Sequence, residues 1–427
     1  MPSRDICLTS SASVSTSWPS PAPTTGASFG RSTSTKRAQP PSYLFASMRH
    51  RVRPSAARGP PRARNPKDRT MNPQMLTLLR ESRGYSGAQL AKLAGIPQPT
   101  LSKMENGLAV IDEARLQQLA DALEYPVEAF NWTDPIYGFG SAAFYHRKQQ
   151  ALPQTTLRKI QAQVNLTRMR LDRLLRSIEI DTQYVVPSLD VEEYGTPAEV
   201  ARAVRALWRM PMGPIRDMAA ALELAGIIMV RSNLESPRIA AISLDNVGTY
   251  PALIILNTGL PADRERFTLA HELGHLVMHS VLVTTDEAER EADAFAAEFL
   301  MPAAEIRTEL KGITLARAAQ LKVVWRVAIS ALVRRARDLG VIDDTRYKSL
   351  MVSMSQKGWR KSEPVEVAHD HPTVMSSLIK VHLADHDYTF DELARVVALN
   401  RDEFTMRFDL DAPRGDEPRG SHLRALK

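Results

Sequence analysis

The sequence predicts an α+β fold in which helices far outnumber strands. Three observations predict it. Residues 72–133 hold four short stretches of helical apolar spacing parted by turn residues, residues 154–178 carry one unbroken three–four apolar stripe, and residues 227–256 hold three short apolar runs leading into a long apolar helix. A chain of 427 residues is long enough for two or three domains with cores of their own.

The first seventy residues contain twelve Lys or Arg and two Asp or Glu, a net of +10 that leaves −3 for the rest of a chain whose total is +7. This leader is rich in Ser, Thr, Pro, Ala and Arg and has no apolar period, so residues 1–70 are expected to be disordered. Its composition also fits a transit peptide or a basic nucleic-acid arm. Ordered patterning begins just past Met71, which favours Met71 as the true start and the leader as an extension upstream of it. No apolar stretch follows a basic start as a secretory signal would, and none approaches the ~18 residues of a membrane span. With Cys7 as the only cysteine, internal disulfides are excluded and a cytoplasmic protein is expected.

The first ordered unit, residues 72–133, reads as four helices. One runs from Pro73 to Arg83 and ends at Gly84; the next follows Ser86, turns Leu90, Ala91 and Leu93 inward and stops near Gly95. A third covers Pro99 to Glu105 before Asn106 and Gly107, and a fourth, Asp112 to Leu123, supplies Leu116, Leu119, Ala120 and Leu123 to a shared core. This is helix-turn-helix architecture. The runs Gln89–Ile96 and Thr100–Gly107 resemble the Xre/Cro-type repressor domain. That resemblance implies that the third helix enters the major groove of double-stranded DNA, with Gln98, Thr100, Ser102 and Lys103 at the reading positions. Gln suits bidentate pairing with adenine and Lys reaches guanine or phosphate. Pro97 departs from the family, which has Ser or Thr as the helix cap there, a loss worth about 0.5–2 kcal/mol.

Residues 134–194 form a linker around one long amphipathic helix. Leu157, Ile160, Val164, Leu171, Leu174 and Ile178 make its apolar stripe, and Arg158, Lys159, Arg168, Arg170, Arg173 and Arg176 crowd the other positions, expected as a solvated face. The stripe has two candidate partners, the following domain or a second copy of the chain in a homodimer spanning two half-sites.

Residues 195–305 hold a helix over 214–225 and three apolar runs, Ile227–Val230, Ala240–Ser243 and Ala252–Leu256, expected as a small sheet. The run 252–257 is placed to accept an extended peptide as an added strand. Then comes His271-Glu-Leu-Gly-His275, inside a helix without breakers. Positions four apart on a helix project from nearly one face, so His271 and His275 can place two imidazole nitrogens on one metal ion while Glu272 stands beside it as a base. Two buried histidines and a glutamate need something to satisfy them, and a divalent ion such as Zn2+ does so. A catalytic site needs a third protein ligand and an open position for water. In the helix Glu287–Leu300, Glu289 and Asp293 border the apolar arc of Ala292, Ala296, Phe299 and Leu300, whereas Glu291 and Glu298 point the other way, toward solvent. Glu289 is the best ligand. Asp293, one turn on, is placed to accept the outward N–H of a ligating histidine, and Ala292 and Ala296 allow close helix approach.

The run Arg264–His279, the pattern Glu289-x-x-Ala292-x-x-Phe295-Ala296 and Leu300-Met-Pro302 resemble the ImmA/IrrE family of metallo-endopeptidases, a zincin-like, gluzincin-type group often fused to an Xre-type domain. The resemblance extends over residues 72–405. It implies zinc held by His271, His275 and Glu289, Glu272 as catalytic base, and a transcriptional repressor as the protein substrate. For the oxyanion, the sequence offers Tyr250 and His279; His279 equally fits a helix cap.

Residues 306–411 are expected to be helical, with a pair over 315–321 and 329–339 resembling the helical cap of that family and a second pair over 374–383 and 390–399; a disordered tail follows from 412. The leading functional expectation is a zinc endopeptidase fused to a DNA-binding domain. The rivals are a transcription regulator whose metal is structural or sensory, closed by a fourth protein ligand, and an antitoxin-like regulator.

Overall fold

A computed structural model describes residues 52–54, 71–137, 152–244, 250–279 and 286–408. The expected tail from 412, and the leader apart from 52–54, lie outside the described residues.

Four helices form the first unit: α1 (Pro73–Ser82), α2 (Gly87–Ala94), α3 (Gln98–Glu105) and α4 (Glu113–Leu123). Local chemistry sets their ends. Ser86 and Gln89 form a reciprocal capping box at α2, Gly95 closes it in the left-handed region at φ 65°, and Asp112 caps α4 by accepting from Arg115 N–H. α3 starts at Pro97 without a side-chain cap, as the sequence implies. Met75, Leu76, Leu79, Leu90, Leu101, Met104, Leu119, Leu123 and Phe130 fill the core. Leu93, expected inward, is exposed; Ala94 takes the inward position instead.

The long helix α5 (Gln154–Leu175) is an axle and not an amphipathic surface helix. Ala162, Leu166 and Met169 pack into the first unit, while Ile160, Val164 and Leu171 meet Ile228, Val230, Leu253 and Ile255 of the sheet. Leu174 joins a third cluster with Ile379, Leu393 and Phe404. The stripe is covered within the chain. The solvated basic face holds at Arg158 and Arg176, which are exposed, and fails at Arg170, which is buried and donates to the carbonyls of Val397 and Ala398, its pKa drawn down by burial to about 10. Arg173 pairs with Asp134 at 2.7 Å under the ring of Trp132. Ile178, read as the end of the helix, belongs to a short strand, β2 (Ile178–Ile180), antiparallel to β1 (Val52–Pro54). The expectation of an unstructured leader therefore fails at 52–54.

The second unit opens with α6 (Val191–Tyr194), α7 (Pro197–Leu207) and α8 (Met218–Leu224). α8 is shorter than the expected 214–225 because Asp217 caps it, accepting from Ala220 N–H, and Asp370 accepts from Met218 N–H. Strands β3 (Ile228–Ser232), β4 (Ala241–Leu244) and β5 (Leu253–Asn257) follow, one or two residues from their predicted positions. Their order is β3–β5–β4, with β5 parallel to β3 and antiparallel to β4. The central place of β5 corrects one expectation: both its edges are paired, so 252–257 cannot accept an added strand. Among the described residues the free edge nearer the helix that carries His271 and His275 belongs to β4.

Helix α9 (Ala262–Met278) packs on this sheet, and α10 (Asp286–Leu300) lies in close contact with α9. Around them pack α11 (Ala303–Glu309), α12 (Leu315–Trp325), α13 (Ile329–Asp338) and α14 (Asp344–Gln356), while α15 (Val374–Ala384), α16 (Phe390–Val396) and α17 (Arg401–Arg407) return to α5. The connection from α14 to α15 is tied down by buried charge. Asp370 pairs with Arg266 and Arg326, Glu363 with Lys322, and Glu223 accepts from the backbone N–H groups of Thr373 and Val374.

Candidate metal centre

His271 and His275 stand one turn apart on α9, and their Nε2 atoms approach to 3.0 Å. Glu289 on α10 closes the triangle, with carboxylate oxygens 3.7 Å from His271 Nε2 and 3.5 Å from His275 Nε2. These three residues are the one group of three metal-capable side chains found together among the described residues. The close packing of α9 on α10 brings Glu289 within reach, and Gly274 permits it, since a Cβ there would meet Ala292 Cα at 3.3 Å.

The outer nitrogens show why a cation fits. His271 Nδ1 lies 3.0 Å from Asp293 Oδ1. Burial raises the Asp293 carboxyl, but the bond to His271 and the charge of Arg334 outweigh it and hold the group below its ordinary range. An ionised carboxylate only accepts, so His271 donates from Nδ1, and in the neutral ring Nε2 carries the lone pair. Burial lowers the His271 pKa, yet Asp293, Glu272 and Glu289 together hold it above its usual value. His275 Nδ1 faces His279 Nδ1 at 3.0 Å, and His279 Nε2 lies 2.9 Å from Glu291. When the His275 proton sits on Nδ1, two lone pairs face each other at 3.0 Å beside a carboxylate. That donor set is repulsive alone and satisfied by a divalent ion.

Glu272 is buried next to His271 and has no hydrogen-bond or ion-pair partner among the described residues. Tyr250 stands elsewhere: its hydroxyl bonds Asp172 and its ring lies near Arg168, both on α5, with burial and Asp172 raising its pKa. His279 is engaged on both nitrogens, and burial lowers its pKa despite Glu291. Neither of the two nominated oxyanion groups is thus at liberty for that task.

Two residues of this network escaped the sequence reading. Glu291, assigned to solvent, meets His279, and Arg334 on α13 reaches Asp293 at 3.3 Å. Glu298, also assigned to solvent, is buried between Arg335 and Arg202. The basic cluster 334–337 held the only signal, since arginines in a packed helix require carboxylates nearby.

On α3, Gln98 and Lys103 are exposed while Thr100 and Ser102 are half-buried. Arg80 is taken up by Glu105 at 2.6 Å, and residues 71–133 carry five Lys or Arg against seven Asp or Glu.

Residues 222–337 match the family model of the IrrE N-terminal-like domain, in the M78 peptidases, and residues 76–130 match that of a helix-turn-helix. The chain joins an IrrE N-terminal-like domain to a helix-turn-helix domain. The first match begins in α8 and ends in α13, so it contains the sheet, both metal-facing helices and Arg334. α5 and residues beyond 337 lie in neither match. No curated protein matches the chain. No described helix is long and apolar enough to cross a membrane.

Proposed function

We propose that the IrrE-like domain is a zinc-dependent endopeptidase and that the helix-turn-helix domain brings it to DNA, where it regulates transcription by cleaving a repressor protein. The observation that carries this reading is Glu272, a buried carboxylate without a partner among the described residues beside two imidazole Nε2 atoms 3.0 Å apart. A structural metal has no use for such a base, and it would draw a fourth protein ligand, whereas among the described residues three metal-capable side chains group here. His271, His275 and Glu289 would hold the ion. When bound, zinc would polarise a peptide carbonyl and acidify water. Glu272 takes up the proton of that water, keeps it out of bulk solvent, and delivers it to the departing amine. The free edge of β4 supports an extended substrate as an added strand, which would favour linkers and exposed loops over folded segments.

The test is a proteome-derived peptide library incubated with the full chain. Cleavage that a chelator abolishes and zinc restores supports the reading; cleavage indifferent to chelator contradicts it.

A further inference from the structure

Asp293 gives His271 a partner that only accepts, which decides where the His271 proton lies. His275 has no carboxylate on its outer nitrogen. Its Nδ1 faces Nδ1 of His279 at 3.0 Å, and a neutral imidazole can present either a donor or an acceptor there. The far nitrogen of His279 lies 2.9 Å from Glu291 Oε2. We infer that Glu291, acting through His279, fixes His275 as the Nδ1–H tautomer and so presents the bare Nε2 that a metal requires. Glu291 and His279 are positioning residues.

The direction follows from what each group can do. Ionised Glu291 accepts the Nε2–H of His279, a neutral His279 then carries a lone pair on Nδ1, and that lone pair accepts the Nδ1–H of His275. In the reverse arrangement His279 donates from Nδ1, its bare Nε2 is set against the lone pairs of Glu291, and the His275 proton moves to Nε2. There it lies 3.0 Å from His271 Nε2 and closes the metal corner with an N–H···N bond. Glu291 therefore selects between a metal-ready pair and a self-paired one. The helix ends where this relay needs it: His279 is the residue that closes α9, with φ −116° and ψ 72°, and its N–H donates to the carbonyl of His275.

The inference rests on the metal-centre reading and not on peptide cleavage. It is tested on the full chain labelled with 15N-histidine, comparing wild type, Glu291→Gln and, as a control on the same helix, the exposed Glu287→Gln. Long-range 1H–15N spectra of the metal-free protein report the tautomer of His275, and chelator competition reports zinc affinity. Wild type and Glu287→Gln should show a single Nδ1–H form; Glu291→Gln should show a mixture, with zinc bound about 10–100-fold more weakly. An unchanged tautomer in Glu291→Gln overturns the relay even if affinity falls, because the loss is then structural. A changed tautomer with unchanged affinity overturns it as well. Should wild type bind no zinc, the metal-centre reading fails, while the metal-free spectra still decide the relay.

Discussion

Gly274 rests against Phe295, so that a Cβ placed on the glycine would fall 3.1 Å from Phe295 Cδ1. The two histidines are on the glycine's helix and Glu289 is on the phenylalanine's, so the thickness of this contact sets the width of the metal corner. Gly274→Ala should change stability little, because a helix-propensity gain of about 1 kcal/mol offsets a shift of a few tenths of an ångström. Gly274→Val should cost about 1–3 kcal/mol by overpacking and weaken zinc binding as well. Denaturant unfolding and chelator competition measure the two effects; full zinc affinity in Gly274→Val would separate the corner from this contact.

Glu298 and Arg335 tie α10 to α13 by a buried ion pair, and Arg335 also donates to the carbonyl of Met301. Glu298→Ala leaves a buried guanidinium without its counter-charge and should destabilise the fold by about 3–5 kcal/mol. Replacing the exposed Glu287 by Ala should cost under about 0.5 kcal/mol. Equal losses in the two variants would contradict the burial argument.

The helical wheel of α10 misplaced Glu298 for a physical reason. A wheel assumes one buried face, whereas α10 packs on α9 along one side and α7 along another. The local signals were legible where side chains act on their own backbone: the Ser86–Gln89 box, Gly95 and Asp112 fix helix ends within a few residues of their neighbours in sequence. The same signal, Thr196 ahead of Pro197 and Glu199, marked α7 and went unread. The centrality of β5 was not legible, because the order of strands in a sheet depends on partners twenty residues away. Helical period groups His271 with His275 and Glu289 with Asp293, each within one helix, whereas the approach of the two helices, and with it the places of Arg334 and Glu291, comes only through packing.

His382 carries a pH dependence. Its Nε2 donates to the carbonyl of Leu174 at 2.8 Å, its Nδ1 has no hydrogen-bond partner among the described residues, and the rings of His386 and Tyr388 face it. Burial, aided by His386 and opposed by the Leu174 bond, lowers its pKa below the ordinary 6.5. The unfolded chain takes up this proton at higher pH than the folded one. Stability from His382 is therefore complete above about 6.5 and is lost as pH falls from there toward the folded value. Unfolding by urea at pH 5 to 8 should show a slope in that window that His382→Gln reduces. An identical profile in the variant would contradict it.

The acidic balance of residues 71–133 predicts weak non-specific attraction to DNA and a shallow dependence of affinity on salt. With an operator obtained by selection, Gln98→Ala should cost about 1–3 kcal/mol and relax preference at one base pair, and Lys103→Ala should lower the salt slope by about one. Fluorescence anisotropy across salt concentrations distinguishes the two, and unchanged affinity in both variants would remove α3 from the interface.

The most direct test of the account is co-expression of the full chain, as wild type and as Glu272→Gln, with candidate repressors, followed by intact mass of each repressor. The account predicts one repressor cut at a single site by wild type and left whole by Glu272→Gln, with zinc content equal in the two proteins. A repressor cut equally by both would contradict the role given to Glu272.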